Sequence, residues 1–477
     1  MDNRTKRDVT FLNLVSDFET NFEKGQPIVF DEKTFLEIIR FYEEELHYEK
    51  AMEVTDLALS QFSYRPDFYI IKARLLFQNN LQDEALKLLA KAEIISPYEH
   101  DILLLKIRIL AFKGEISEAR VILDDMKRYV SSSDLSDVYL SESFISEVMQ
   151  DYEGMYESLT KAIICDMQNE EAFERLGFAV QLSKNFDASI AFHNMILSEQ
   201  PFNYLAWYNL GHALSCLGEY MKAIDALEYS FITEENFESG YLDCADICIQ
   251  EKQYLRALKI YRNYNEVFGI NDEVLLNMAE CEYKLGRLNK AKILLNKSLK
   301  LDPYNDEVYY KLGLCYAKAE QWNKAINAYH KAITLEDSCE DYYFSLAKAH
   351  AAVGAYDKAE FYYGEAVQMG PEQSMYWRDY ISFLIKLGKK DKALEVFKDS
   401  DDYTFGADLL FCKGVAQYLS GKEKAAYKTF EDALKEEFDQ HHIIFEIEPE
   451  LMLNKELQSM ISYYRTELNA DQDLNKG

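Results

Sequence analysis

The stretch Trp207-Tyr208-Asn209-Leu210-Gly211, followed by Gly218-Glu219-Tyr220 and then Ala223-Ile224, decides the fold of this 477-residue chain. From Trp207 to Leu217 the apolar residues fall at helical spacing, and the run ends at Gly218. From Tyr220 to Phe231 the spacing is helical again. Glycine just past a helix supplies a left-handed turn without steric cost. The stretch therefore reads as two amphipathic helices joined by a tight turn. Such a hairpin cannot bury its faces alone and needs copies of itself on either side.

Those copies are present. An alanine recurs every 34 residues at Ala51, Ala85 and Ala119, resumes at Ala223, Ala257, Ala291, Ala325, Ala359 and Ala393, and closes at Ala426. Sixteen residues earlier stands a large apolar residue each time, among them Phe35, Tyr69, Trp207, Tyr309 and Trp377. Glycines Gly114, Gly218, Gly286, Gly354, Gly388 and Gly421 end first helices. Prolines Pro97, Pro201, Pro303 and Pro371 share a column between one helix pair and the next, because proline cannot continue a helix. The alanine column lets two helices approach closely, and aromatics fill the space between pairs.

These residues, with Tyr310-Lys311-Leu312-Gly313 ahead of Trp322, Ala325, Tyr329 and Ala332, resemble the tetratricopeptide repeat signature. The resemblance implies an all-α fold, a right-handed α-α superhelical solenoid of helical hairpins. About twelve repeats are expected over residues 32–440, starting at 32, 66, 100, 136, 170, 204, 238, 272, 306, 340, 374 and 407. Residues 1–31 read as a leading helix and cap, with the helix at Phe11 to Glu23. Residues 441–477 read as a closing helix, Pro449 to Leu468, with a disordered tail from Asn469. The repeats at 136 and 170 depart from the pattern, with Met155 and Ser189 in the alanine column and Glu142 at an inward column, so looser packing or a bend is expected there. A two-residue phase break follows Tyr129-Val130-Ser131-Ser132-Ser133-Asp134 and reads as a loop variant or a hinge.

Composition narrows the function. The formal charge is −31, from 83 acidic and 52 basic residues, which repels phosphate backbones and anionic membranes unless a local basic patch overrides it. Reading along the chain, no such patch stands out, so nucleic acid and membrane are not the expected partners. The first twenty residues lack the apolar segment of a signal peptide, and no run approaches a membrane span, so a cytoplasmic location is expected.

No phosphate-binding loop, His-Glu-x-x-His pair or Gly-x-Ser-x-Gly elbow is present, and no catalytic, metal or cofactor site is expected. Cys244 and Cys248, and likewise Cys281 and Cys315, fall on inward columns and read as small buried hydrophobes. His441-His442 reads as a solvated linker before the last helix.

What remains is surface. In arrays resembling this family, columns two, five, nine and twelve of the first helix face the ligand. Column nine of the first three repeats is arginine: Arg40, Arg74 and Arg108. Two readings stay open. The guanidinium groups hold an acidic partner segment, or they pair with acids of their own array. Glu37 and Glu44 lie at pairing distance from Arg40 on its helix. Column five is largely apolar, including Ile70, Leu104, Tyr208, Tyr310 and Phe344, and suits an extended peptide or an amphipathic helix. Column two is acidic at Asp67, Asp101, Asp137, Glu171, Glu273, Glu307, Asp341 and Asp408, where the helix macrodipole favours negative charge. The clamp by which co-chaperone members of the family grip a carboxylate terminus needs a Lys and Asn pair that no repeat carries. The expected function is a non-enzymatic scaffold or adaptor binding a protein or peptide in a concave groove. The rival is a regulatory peptide sensor whose superhelix changes curvature on binding.

Overall fold

The computed structural model describes residues 11–12, 14–16, 18–22, 24, 28–131 and 134–474, with side chains described through 466. Ser132 and Ser133 of the phase break, Glu23 and the first ten residues lie outside them. The described residues are helical, without a strand. First helices begin at Glu32, Pro66, His100, Leu135, Glu170, Tyr204, Glu238, Asp272, Asp306, Glu340, Ser374 and Ala407. Each is followed within a few residues by a second helix, as in Tyr204–Cys216 with Tyr220–Thr233 and Asp306–Lys318 with Trp322–Leu335. The hairpins group into two compact bodies, Met1–Ile247 and Cys248–Gly477, each an all-α stack of helical hairpins.

The turn inside each hairpin has one geometry. Gly114, Gly218, Gly286, Gly354, Gly388 and Gly421 adopt φ between 74° and 88°. In the other six repeats the same place is taken by Leu46, Asn80, Gln150, Lys184, Lys252 and Glu320, all at positive φ. Stacking thus imposes the left-handed turn even where a side chain disfavours it by about 1 kcal/mol. At the repeat starts, Asp31, Asn169, Asn203, Asn271 and Asn305 accept a hydrogen bond from the amide three residues on, capping first helices.

Within each body the core lies between the two helices of a hairpin and the next first helix. The alanine column is fully buried throughout, and Met155 and Ser189 are buried in it as well. Close approach is most severe at Gly313, where a Cβ would collide with the Tyr329 ring. The looser packing expected in repeats four and five is observed in repeat five, whose helices Glu170–Ser183 and Phe186–Glu199 approach each other only sparsely, and not in repeat four, whose helices pack closely. Their helices Leu135–Val148, Tyr152–Cys165, Glu170–Ser183 and Phe186–Glu199 are uninterrupted, and Lys127 donates to Glu142 at 2.7 Å. That ion pair lets a carboxylate sit at an inward column. Cys244, Cys248, Cys281 and Cys315 are buried.

Both ends are covered. Val15 and Phe18 pack on Phe35, Ile38 and Tyr42 of the first repeat. At the other end His441-His442 is not a linker. A 3-10 turn, Phe438–His441, leads into a short helix, His442–Ile447, whose Ile443, Ile444 and Ile447 are buried against the last repeat. Pro449 opens a second 3-10 turn, so the closing helix runs Lys455–Leu474, starting and ending later than its expected 449–468.

Candidate interaction surface

Equivalent positions in successive repeats lie 34 residues apart, and one helical turn spans 3.6 residues. A separation of 31 therefore brings column nine of one first helix against column six of the next. This contact recurs. The Arg175 guanidinium lies 3.7 Å from the Phe144 ring centroid, and His212 Nε2 lies 3.0 Å from Asp243 Oδ2. Glu280 meets Lys311, and Lys348 Nζ donates to Asp379 Oδ2 at 3.1 Å. Sequence columns two, five, nine and twelve omitted column six, so Arg175, Asp243, Lys311 and Asp379 were missed. Their signal was the opposite or aromatic partner 31 residues earlier.

The three arginines have three different surroundings. Arg40 is exposed and makes no ion pair among the described residues, and Glu37 turns instead to Lys33 Nζ at 3.6 Å. Arg74 Nη2 donates to both carboxylate oxygens of Glu43, at 2.9 and 3.0 Å, from column nine to column twelve of the preceding repeat. Arg108 lies 3.3 Å from Glu171 Oε1, with its guanidinium carbon 3.8 Å from the Phe144 centroid. Arg175 packs on that same ring and donates to Glu147 Oε2 at 2.8 Å. Burial pulls the Arg108 guanidinium below its ordinary range; Glu171 raises it back, and Arg175 lowers it again. Phe144 is column nine of the fourth repeat, the next position after the arginine run.

The apolar column divides likewise. Ile70 and Leu104 are half-buried, each against its own hairpin core. Tyr208 donates its hydroxyl to Asp243 Oδ2 at 2.6 Å, with its ring edge-on to His212. Burial pushes the Asp243 carboxyl up, but the hydrogen bonds from His212 and Tyr208 outweigh it and hold the group below its usual value. In the second body, Tyr310 accepts from Ser345 at 3.4 Å and packs on Tyr342. Phe344 is only 5% exposed, its ring covered by Tyr376 at 4.6 Å.

The acids of column two have separate tasks. Asp67 pairs with Arg65, Glu171 with Arg108, and Asp341 accepts from Tyr376 Oη at 2.7 Å. Asp137 is pushed up by burial and then by its carboxylate neighbours Asp101 and Asp166.

Models of the family described as Tetratricopeptide repeat match residues 194–225, 272–305, 306–339 and 340–373. A curated relative, the Protein CTR9 homolog of Arabidopsis thaliana, is 26% identical over 193 residues. The match takes in 40% of this chain but spans only 16% of that protein's length. A solved tetratricopeptide repeat protein from Parabacteroides merdae is 18% identical, covering 54% of this chain and 98% of that one, with a TM-score of 0.41. Yeast Tom70 is 14% identical, covering 82% and 96%, with a TM-score of 0.37. Among the described residues no helix is long and apolar enough to cross a membrane. With a hairpin at each 34-residue step and four of those steps matched by family models, this chain is a tetratricopeptide-repeat protein.

Proposed function

We propose that the chain is a non-enzymatic scaffold, working in the cytoplasm, that holds a protein or peptide segment along the inner columns of its first helices. The observation that carries this reading is the contrast within column nine. Where Arg74 and Arg108 already have carboxylate partners, Arg40 presents an exposed guanidinium with none among the described residues. Arg40 is the first anchor for an acidic group of the partner. Arg74 joins by exchanging Glu43 for that group, which costs little because exposed pairs are worth about 1 kcal/mol or less, and Arg108, half-buried against Phe144, joins by exchanging Glu171. The half-buried Ile70 and Leu104 then lie beside the segment in the first body, and Tyr208 beyond them. In the second body the corresponding column holds Tyr310 and Phe344, the latter almost fully buried.

Affinity capture from the native cell, followed by crosslinking, tests the location. Crosslinks are expected on first-helix lysines such as Lys33 and Lys106. Titration of the captured partner against Arg40→Ala, and then against the triple arginine variant, tests the anchor. Affinity should fall about tenfold for the first and further for the second. Unchanged affinity in both would remove the arginines from the site.

A further inference from the structure

In a chain of net charge −31, two neighbouring second helices carry no carboxylate at all. They are Leu288–Leu301 of the eighth repeat and Trp322–Leu335 of the ninth. Between them they hold Lys290, Lys292, Lys297, Lys300, Lys324 and Lys331. None of these lysines is ion-paired to a described residue, whereas nearby Lys284 and Lys311 share Glu280, and Arg287 meets Glu282. The linear reading missed the patch because its charges alternate with apolar core positions and gather only when the two helices stack.

Four of these lysines converge on a shaped surface. An open depression of about 630 Å³ is lined by Lys292, Lys297, Lys300 and Lys324, with Tyr316 among them. Lys292 Nζ and Lys324 Nζ lie 5.4 and 5.6 Å from the Tyr316 ring centroid. Ile293, 58% exposed, adds an apolar spot, and the side-chain amides of Asn289 and Gln321 border the same depression. Like charges brought together repel, so folding concentrates here a positive field that an acidic ligand would neutralise.

We propose that this depression docks an acidic peptide segment of a partner protein, one carrying an apolar side chain among its carboxylates. Lysine ammoniums take carboxylates as point charges, the amides suit a peptide backbone, and Tyr316 with Ile293 offers contact to the apolar side chain. A long polyanion such as RNA fits less well. Screening confines the patch's field to about 8 Å at physiological salt, and a strand leaving it meets the acidic remainder of the chain. This surface is built mainly on the second helices, with Tyr316 contributed by the first helix Asp306–Lys318, and it includes none of the residues of columns two, five, nine and twelve.

Fluorescence anisotropy on the full chain tests it. The probes are a labelled peptide of glutamates interrupted by phenylalanines, and an oligothymidylate of equal charge. The peptide should bind, weaken with added salt, and lose affinity about tenfold or more in Lys292→Glu/Lys297→Glu/Lys324→Glu. A neutral set, Lys→Gln at the same positions, should lose less, and both variants should keep the helical circular dichroism of the parent. A charge-matched control on other second helices, Lys161→Glu/Lys222→Glu/Lys424→Glu, should bind as the parent does. No peptide binding, equal loss in the control, or preference for the oligothymidylate would each overturn the proposal.

Discussion

Arg108 and Arg175, 67 residues apart in sequence, use one aromatic ring: their guanidinium carbons lie 3.8 and 3.7 Å from the Phe144 centroid. Two cations share the ring because Glu171 and Glu147 each balance one of them. Phe144 is itself almost fully buried, so it ties repeats three, four and five together. Phe144→Leu keeps most of the packing and removes the π face. It should lower stability by about 1–2 kcal/mol, while Phe144→Ala should cost about 3–5 kcal/mol. Thermal unfolding followed by circular dichroism will separate the two, with Leu intermediate between parent and Ala.

His193 makes the array sensitive to acid. It takes a place that other repeats give to Leu89, Leu227 or Phe430, and its ring is fully buried. Nδ1 lies 2.8 Å from the Ser189 carbonyl oxygen, and Nε2 has no partner among the described residues. Burial pulls its pKa down to about 4, partly offset by the Ser189 contact. The folded state therefore refuses a proton that the unfolded chain accepts near pH 6.5. Stability is intact above that value and falls as pH drops from about 6.5 to 4, by about 2 kcal/mol at pH 5. His193→Leu should lose less melting temperature than the parent between pH 7 and pH 5. Parallel losses in the two proteins would show that His193 is not the source.

Two helical glycines should respond oppositely to alanine. At Gly313 a methyl collides with the Tyr329 ring, so Gly313→Ala should destabilise by about 1–3 kcal/mol despite its better helix propensity. At Gly364, within Tyr356–Met369, a Cβ meets nothing within 4 Å. Gly364→Ala should stabilise by up to about 1 kcal/mol. Paired melting curves check the signs.

Asp243 is held by two donors from the preceding repeat, Tyr208 and His212. Tyr208→Phe removes one and leaves a half-buried carboxylate short of a partner, which should cost about 1–3 kcal/mol. Hydrogen exchange should quicken at the interface of repeats six and seven rather than across the whole chain, since each repeat contacts its neighbours.

The helical period, the repeat length and the hairpin turns were legible in the sequence because each is a local property. A glycine at positive φ, a proline after a helix and an alanine at a close approach act within one hairpin. That is why the twelve first helices begin within a residue of where the columns place them. Side chains between repeats were less legible. Arg40, Arg74 and Arg108 share one column, yet one has no ion pair among the described residues, one is clamped by Glu43 and one is stacked on Phe144. The difference lies with the residue 31 or more positions away that stacking brings into reach.

Sequence alone determined that this chain is an array of helical hairpins, because 34-residue periodicity leaves no other way to bury its apolar faces. It also determined the excess of negative charge. Only the tertiary structure decided how that charge is spent: which carboxylates neutralise the inner arginines, which histidine is sealed from water, and where lysines from two helices meet without an acid between them. Coulombic interactions depend on separation in space, and the distances between repeats exist only after they have stacked.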